Sequence, residues 1–213
     1  MKTLFRLVIL IAIIWLAYDL FAPHHGDLRA FNAQEVGRLE TEMWRSYYAN
    51  DQLNLFNQAA RTLREQYGTR AARSYVIALQ AARAAFTFKG GHSRSDYERA
   101  LPQIESFYKS IRESSNIAFD PNQAAKLELE WWIIHRERKK HEPHDLVNAL
   151  AQLQSEVYRI PSERAMKHAE LRAEAMLLRD DKEEKGTVSE EDWKRIDELL
   201  RGSWQSLSDE IRK

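Results

Sequence analysis

The sequence predicts an all-α protein: an N-terminal single-pass transmembrane helix, then an irregular array of seven or eight soluble helices, with no sheet. Three observations carry that reading. Apolar residues recur at three- and four-residue spacing along most of the chain. Helix start and stop signals return at short intervals. No stretch combines sustained period-two alternation with a hairpin turn. No self-similar repeat is present either, so a solenoid of regular helix pairs is not expected.

The first 22 residues stand apart from the rest. Lys2 and Arg6 lead into an unbroken apolar run from Leu7 to Tyr18, followed by Asp19, Leu20, Phe21 and Ala22. As a helix, Leu4 to Ala22 would be about 28 Å long, close to the hydrocarbon thickness of a bilayer. Residues 4–22 therefore read as an uncleaved anchor in the lipid bilayer. Arg6 would snorkel to one surface and Asp19 would reach the other, with Trp15 and Tyr18 near the far interface. The competing reading is a cleaved signal sequence, which would leave the body secreted. Its cleavage site is poor: Leu20 stands where a small residue is wanted, and Pro23 would follow the cut. Because the basic residues precede the run, the N-terminus should be cytoplasmic and the C-terminal domain outside the cytoplasm.

Residues 23–31, with His24, His25, Gly26 and Asp27, read as a linker, and 32–213 as one helical globular domain. The His24–His25 pair supplies too few ligands for a metal site. Asn32 with Glu35 forms a capping box ahead of a stripe of Val36, Leu39, Met43 and Tyr47. Asp51 caps a second helix that Gly68 closes. Thr69 opens an alanine-rich third helix, 70–88, whose small side chains suggest a central position. Ser95 with Glu98 suggests the next cap, and Pro102 either kinks that helix or marks its true start. Asp120 and Pro121 make an N-cap and N1 pair for a helix running to about Lys140, with cations at its C-terminal end. Glu142 and Pro143 open a helix to Tyr158, and Pro161 and Ser162 open one through Leu178. The stretch 180–186 reads as a polar linker before a last helix capped by Ser189 and Asp192.

Bulk properties exclude several functions. The chain has 32 Lys plus Arg and 32 Asp plus Glu, so it lacks the basic excess expected of a nucleic-acid binder. It has no cysteine, which removes disulfides, thiolate metal sites and cysteine nucleophiles. There is no phosphate-binding glycine loop, dinucleotide fingerprint, nucleophile elbow or zinc-protease motif. The His141-Glu142-Pro143-His144 stretch has its histidines three apart, not four, and reads as a helix start.

The residues that remain of interest are polar ones on apolar faces. Arg172 lies among Ala165, Ala169, Ala175 and Met176, with His168 on the same side. An arginine there needs a carboxylate, and Glu40 and Glu128 are the candidates. Glu128 and His135 share one shoulder of their helix, about 10 Å apart along its axis. Two readings follow. Glu40, Glu128, His135, His168 and Arg172 could form a structural ion-pair network. Glu40, Glu128, His135 and His168 could instead form an interior site holding a metal, with Glu174 as a further ligand, although the Glu-x-x-His pairs of di-metal bundles are missing. Trp44, Tyr47, Tyr48, Trp131 and Trp132 could line a pocket for an organic ligand or peptide. No cofactor is expected. The functional reading is a membrane-anchored protein-interaction or scaffold module, partnered by a membrane or extracytoplasmic protein. The alternative is an anchored helical enzyme or metal protein.

Overall fold

A computed structural model describes residues 1–23, 26–142 and 144–213. The His24–His25 pair and Pro143 lie outside the described residues. Helix α1 covers Lys2–Phe21 and is followed by α2 (Ala33–Tyr48), α3 (Gln52–Tyr67) and α4 (Ala71–Lys89). A short α5 (Arg94–Tyr97) and a 3-10 turn precede α6 (Leu101–Glu113). Then come α7 (Pro121–Arg136), α8 (Asp145–Tyr158), α9 (Ser162–Glu184) and α10 (Glu190–Ile211). The only β pairing among the described residues is an isolated bridge between Gly26 and Ser115.

The larger soluble helices do not form an open array. In their main contacts, each of α2, α3, α4, α6, α7, α8, α9 and α10 packs on the one before it and the one after, and α10 returns to α2. The body is thus a closed ring of eight helices. The closure between α10 and α2 depends on Gly37. A Cβ there would lie 2.6 Å from the backbone N and Cα of Arg201, so only glycine permits this approach. Leu39 of α2, Leu150 of α8, and Ile196, Leu200 and Leu207 of α10 are fully buried.

The sequence signals at helix ends mostly act as expected. Asp51 and Asp120 accept backbone N–H bonds from Asn54 and Asn122, and Ser189 with Asp192 makes a complete capping box. Gly68 closes α3 in the left-handed region at φ 65°. Pro102 marks a true helix start, because its missing N–H falls in the first turn, where no intrahelical partner exists. Four expectations need correction. Ser93, not Ser95, caps the helix at 94, through the Asp96 N–H. Helix α7 stops at Arg136 and a 3-10 turn carries the cations Arg138–Lys140. Helix α9 runs on to Glu184 through the expected linker, because Asp180 is held by Arg138 and His135 of the neighbouring α7 region. Helix α4 is not central: Tyr75, Val76 and Leu79 are 40%, 44% and 42% exposed. Its alanines serve another purpose, described below.

Helix α1 has 20 residues and a mean hydropathy of 2.2, and only 6% of its apolar window is buried. By length and composition it is a candidate membrane span, and a signal sequence passes the same test. It is not loosely attached. The Asp19 carboxylate accepts the Ala72 N–H at 2.6 Å and the Arg73 N–H at 3.4 Å, capping α4 from another helix. Arg70, which occupies the N-cap position, makes no side-chain cap bond of its own. Instead it donates to the Tyr18 carbonyl at 2.9 Å, while Arg73 donates to the Leu20 carbonyl at 2.5 Å. Side chains of each helix thus bond the backbone groups at the end of the other: Arg70 and Arg73 the carbonyls of α1, and Asp19 the orphan N–H groups of α4. Beyond it, Gly26 bonds with Ser114 and Asn116, and Leu28 and Phe31 enter the core. Residues 26–31 are thus packed against the body.

Asp19→Ala should remove this cap at a cost of about 1–2 kcal/mol. Hydrogen exchange at the Ala72 and Arg73 amides should rise well above that of the middle of α4. Unchanged protection would mean the docking of α1 contributes nothing.

Candidate functional site

The ring holds a cavity of about 790 Å³ that opens to the surface on one side. Its walls come from α2, α3, α4, α7, α9 and α10, with Phe107 from α6. On one side Ala78, Ala81, Ala82 and Ala85 of α4 face Ala59 and Leu63 of α3. The alanine run that suggested close helix packing instead leaves space, because methyl groups are too short to fill the interior of a ring. The opposite wall is aromatic: Trp44, Tyr47, Tyr48, Trp131, Trp132 and Trp204.

Polar groups enter this lining at defined points. Glu40 of α2 is buried, and Arg172 of α9 donates to its Oε1 through Nε at 3.0 Å and NH2 at 2.6 Å. The two side chains are only 6% and 14% exposed. Trp204 Nε1–H donates to the other carboxylate oxygen at 2.5 Å. The Arg172 guanidinium also lies 5.3 Å from the Trp131 ring centroid, at cation–π distance. Burial alone would lower the Arg172 pKa. Glu40, together with Glu128, more than offsets that and holds it above the ordinary arginine value. The pair is therefore charged and internally neutral.

Glu128 belongs to the same electrostatic centre but has its own donors. Tyr108 O–H and Trp132 Nε1–H each donate to it at 2.8 Å. Burial, reinforced by the Glu128 charge, pushes the Tyr108 hydroxyl well above its usual pKa, so it stays a donor. Burial does the same to Tyr67, beside Tyr158.

His135 and His168 do not join these carboxylates. His135 Nε2 sits 3.1 Å from Asp180 Oδ2, off the line of a good hydrogen bond. Burial would raise the Asp180 pKa, but His135, Arg138 and Arg179 together lower it. Arg179 also stacks over the Tyr48 ring at 3.3 Å, and burial pushes the Tyr48 hydroxyl up to about 12. His168 is only 1% exposed and does not line the cavity. Its Nδ1 lies 3.1 Å from the Ser203 carbonyl and 2.8 Å from the Ser203 hydroxyl, which in turn donates to the His168 carbonyl. Since a carbonyl only accepts, Nδ1 carries the proton, and Nε2 is left buried with no partner. Burial and the Arg172 charge lower the His168 pKa to about 3. The Ser203–His168 contact is sealed from substrate, so it is not a nucleophile–base pair.

Of the residues singled out from sequence, Glu40, Arg172, His135, Trp44, Tyr48, Trp131 and Trp132 meet around the cavity. Glu128 touches it through Trp132, and His168 sits behind it against Trp204. Glu174 is at the surface, 3.4 Å from Arg195. Among the described residues no group of three His, Asp or Glu side chains is arranged to hold a metal. Sequence reading missed Trp204, Tyr108 and Asp180. Trp204 and Tyr108 had a detectable signal, each standing on the apolar face of its helix; Asp180, in a stretch that reads as a linker, had none. Comparison with protein-family models, with curated proteins and with solved structures finds no match.

Proposed function

We propose that this chain is a membrane-tethered binding module whose helical ring holds an apolar small ligand. The observation that carries this reading is the cavity itself. Its volume falls within the roughly 300–1,000 Å³ usual for small-molecule sites. Its lining matches too: apolar and aromatic walls with a few fixed polar groups, at an interior junction of helices. The Arg172–Glu40–Trp204 cluster is fully engaged, which supports a role in holding the ring open in one shape. That argues for binding over chemistry. The inward-facing lining also supports a small ligand over the protein-interaction scaffold suggested by the sequence.

In this reading α1 is the uncleaved anchor and the body lies outside the cytoplasm. Asp19, Arg70 and Arg73 support the anchor reading, since the body uses α1 to complete α4. Lys2 and Arg6 ahead of the apolar run support the orientation.

The test uses the full chain in nanodiscs of a neutral lipid, titrated with decanol and read by tryptophan fluorescence, with empty nanodiscs subtracted. Binding should saturate. Ala82→Trp, which fills the cavity from α4, should weaken it at least about ten-fold while the helical circular dichroism signal is retained. Equal binding by the filled variant would place the probe elsewhere and overturn the reading.

A further inference from the structure

Resting on that reading, we infer that the ligand is a single-chain anionic amphiphile, its tail in the cavity and its acidic head held at the rim by Lys89 and Arg136. Every carboxylate facing the cavity is already used. Glu40 is taken by Arg172 and Trp204, and Asp180 by Arg138, Arg179 and His135. The interior arginine is neutralised by Glu40, so the deep end offers no free charge for a head group.

The rim differs. Among the described residues, neither Lys89 nor Arg136 has a carboxylate within ion-pair distance. Lys89 Nζ bonds to the neutral Asn50 Oδ1 at 2.6 Å and lies 5.0 Å from the Tyr47 ring centroid. The Arg136 guanidinium lies 5.2 Å from the Phe88 ring and is otherwise exposed. Both cations line the cavity, with Tyr47 beside them. Arg136 stands one turn beyond Trp132, whose ring packs on the same Phe88 at 5.1 Å. The aromatic wall therefore leads from the apolar interior to an uncompensated positive rim. An acidic head is the complement of that charge, and an alkyl chain is the complement of the walls.

Carboxylate and phosphate heads share the required chemistry and come from different sources, a free fatty acid or a lysophospholipid.

The experiment compares decanoate, decyl phosphate, decanol and decylamine on the full chain in neutral nanodiscs at pH 8. The anionic probes should bind about ten-fold more tightly than decanol, and decylamine more weakly. The ratio of decanoate to decyl phosphate assigns the head. Lys89→Gln with Arg136→Gln should erase the anionic preference, bringing decanoate and decanol to equal affinity. If decanol binds as well as decanoate to the native chain, the head-group inference falls and the binding reading stands. A native chain that binds none of the four overturns both.

Discussion

Arg172→Met alone should destabilise the body by about 3–5 kcal/mol, because it leaves the Glu40 carboxylate buried with only the Trp204 N–H as donor. In a protein of this size that corresponds to a fall in Tm of roughly 10 °C. Adding Glu40→Leu should recover most of the loss. The double variant should fall within about 1–2 kcal/mol of the native chain, the remainder being the Trp204 N–H left without an acceptor. Glu128 does not spoil the rescue, since Tyr108 and Trp132 already satisfy it. Thermal unfolding followed by near-ultraviolet circular dichroism checks both steps. A single Arg172→Met variant with native stability would mean that the ring does not depend on this pair.

The second large effect is with pH. His168 is held neutral in the folded state, with its pKa lowered to about 3 by burial and the nearby Arg172 charge. An unfolded histidine titrates near 6.5, so between those values the unfolded chain binds the extra proton. This contribution to stability is therefore complete above pH 6.5 and is lost as the pH falls toward 3. At pH 5 the loss relative to pH 7.5 should be about 2 kcal/mol from this group alone. His168→Asn keeps a donor toward Ser203 and removes the titration. Between pH 7 and 5 its stability should be flatter than that of the native chain. Parallel curves would show that His168 does not control acid stability.

Much of the fold could be read from the residues because helix ends have local causes. Asp51, Gly68, Asp120 with Pro121, and Ser189 with Asp192 act within a few residues of themselves, and all four mark real boundaries. Where a boundary depends on a distant partner, local reading fails. Helix α9 continues past Leu178 because α7 and the turn after it supply partners for Asp180. Helix α4 is capped by Asp19, 53 residues away from Ala72, and no spacing rule points to it.

The site divides in the same way. An arginine among alanines on α9 requires a buried carboxylate, and this physical demand narrows the candidates to Glu40 and Glu128, of which Glu40 is the hydrogen-bonded partner. What could not be read was the ring. Alanines at Ala78, Ala81, Ala82 and Ala85 are equally consistent with tight packing and with the wall of a cavity. The difference rests on the closure of α10 onto α2 at Gly37, which is a property of the whole chain.

The central claim is that the ring interior is a ligand site, and the most direct test follows the tryptophan indoles. With ¹⁵N-labelled tryptophan in the full chain, decanoate should shift the indole N–H signals of Trp131, Trp132 and Trp44, which line the cavity. Trp193 of α10, which does not line the cavity, should not move. Saturating decanoate with no change at Trp131, or with equal changes at Trp193, would contradict the account.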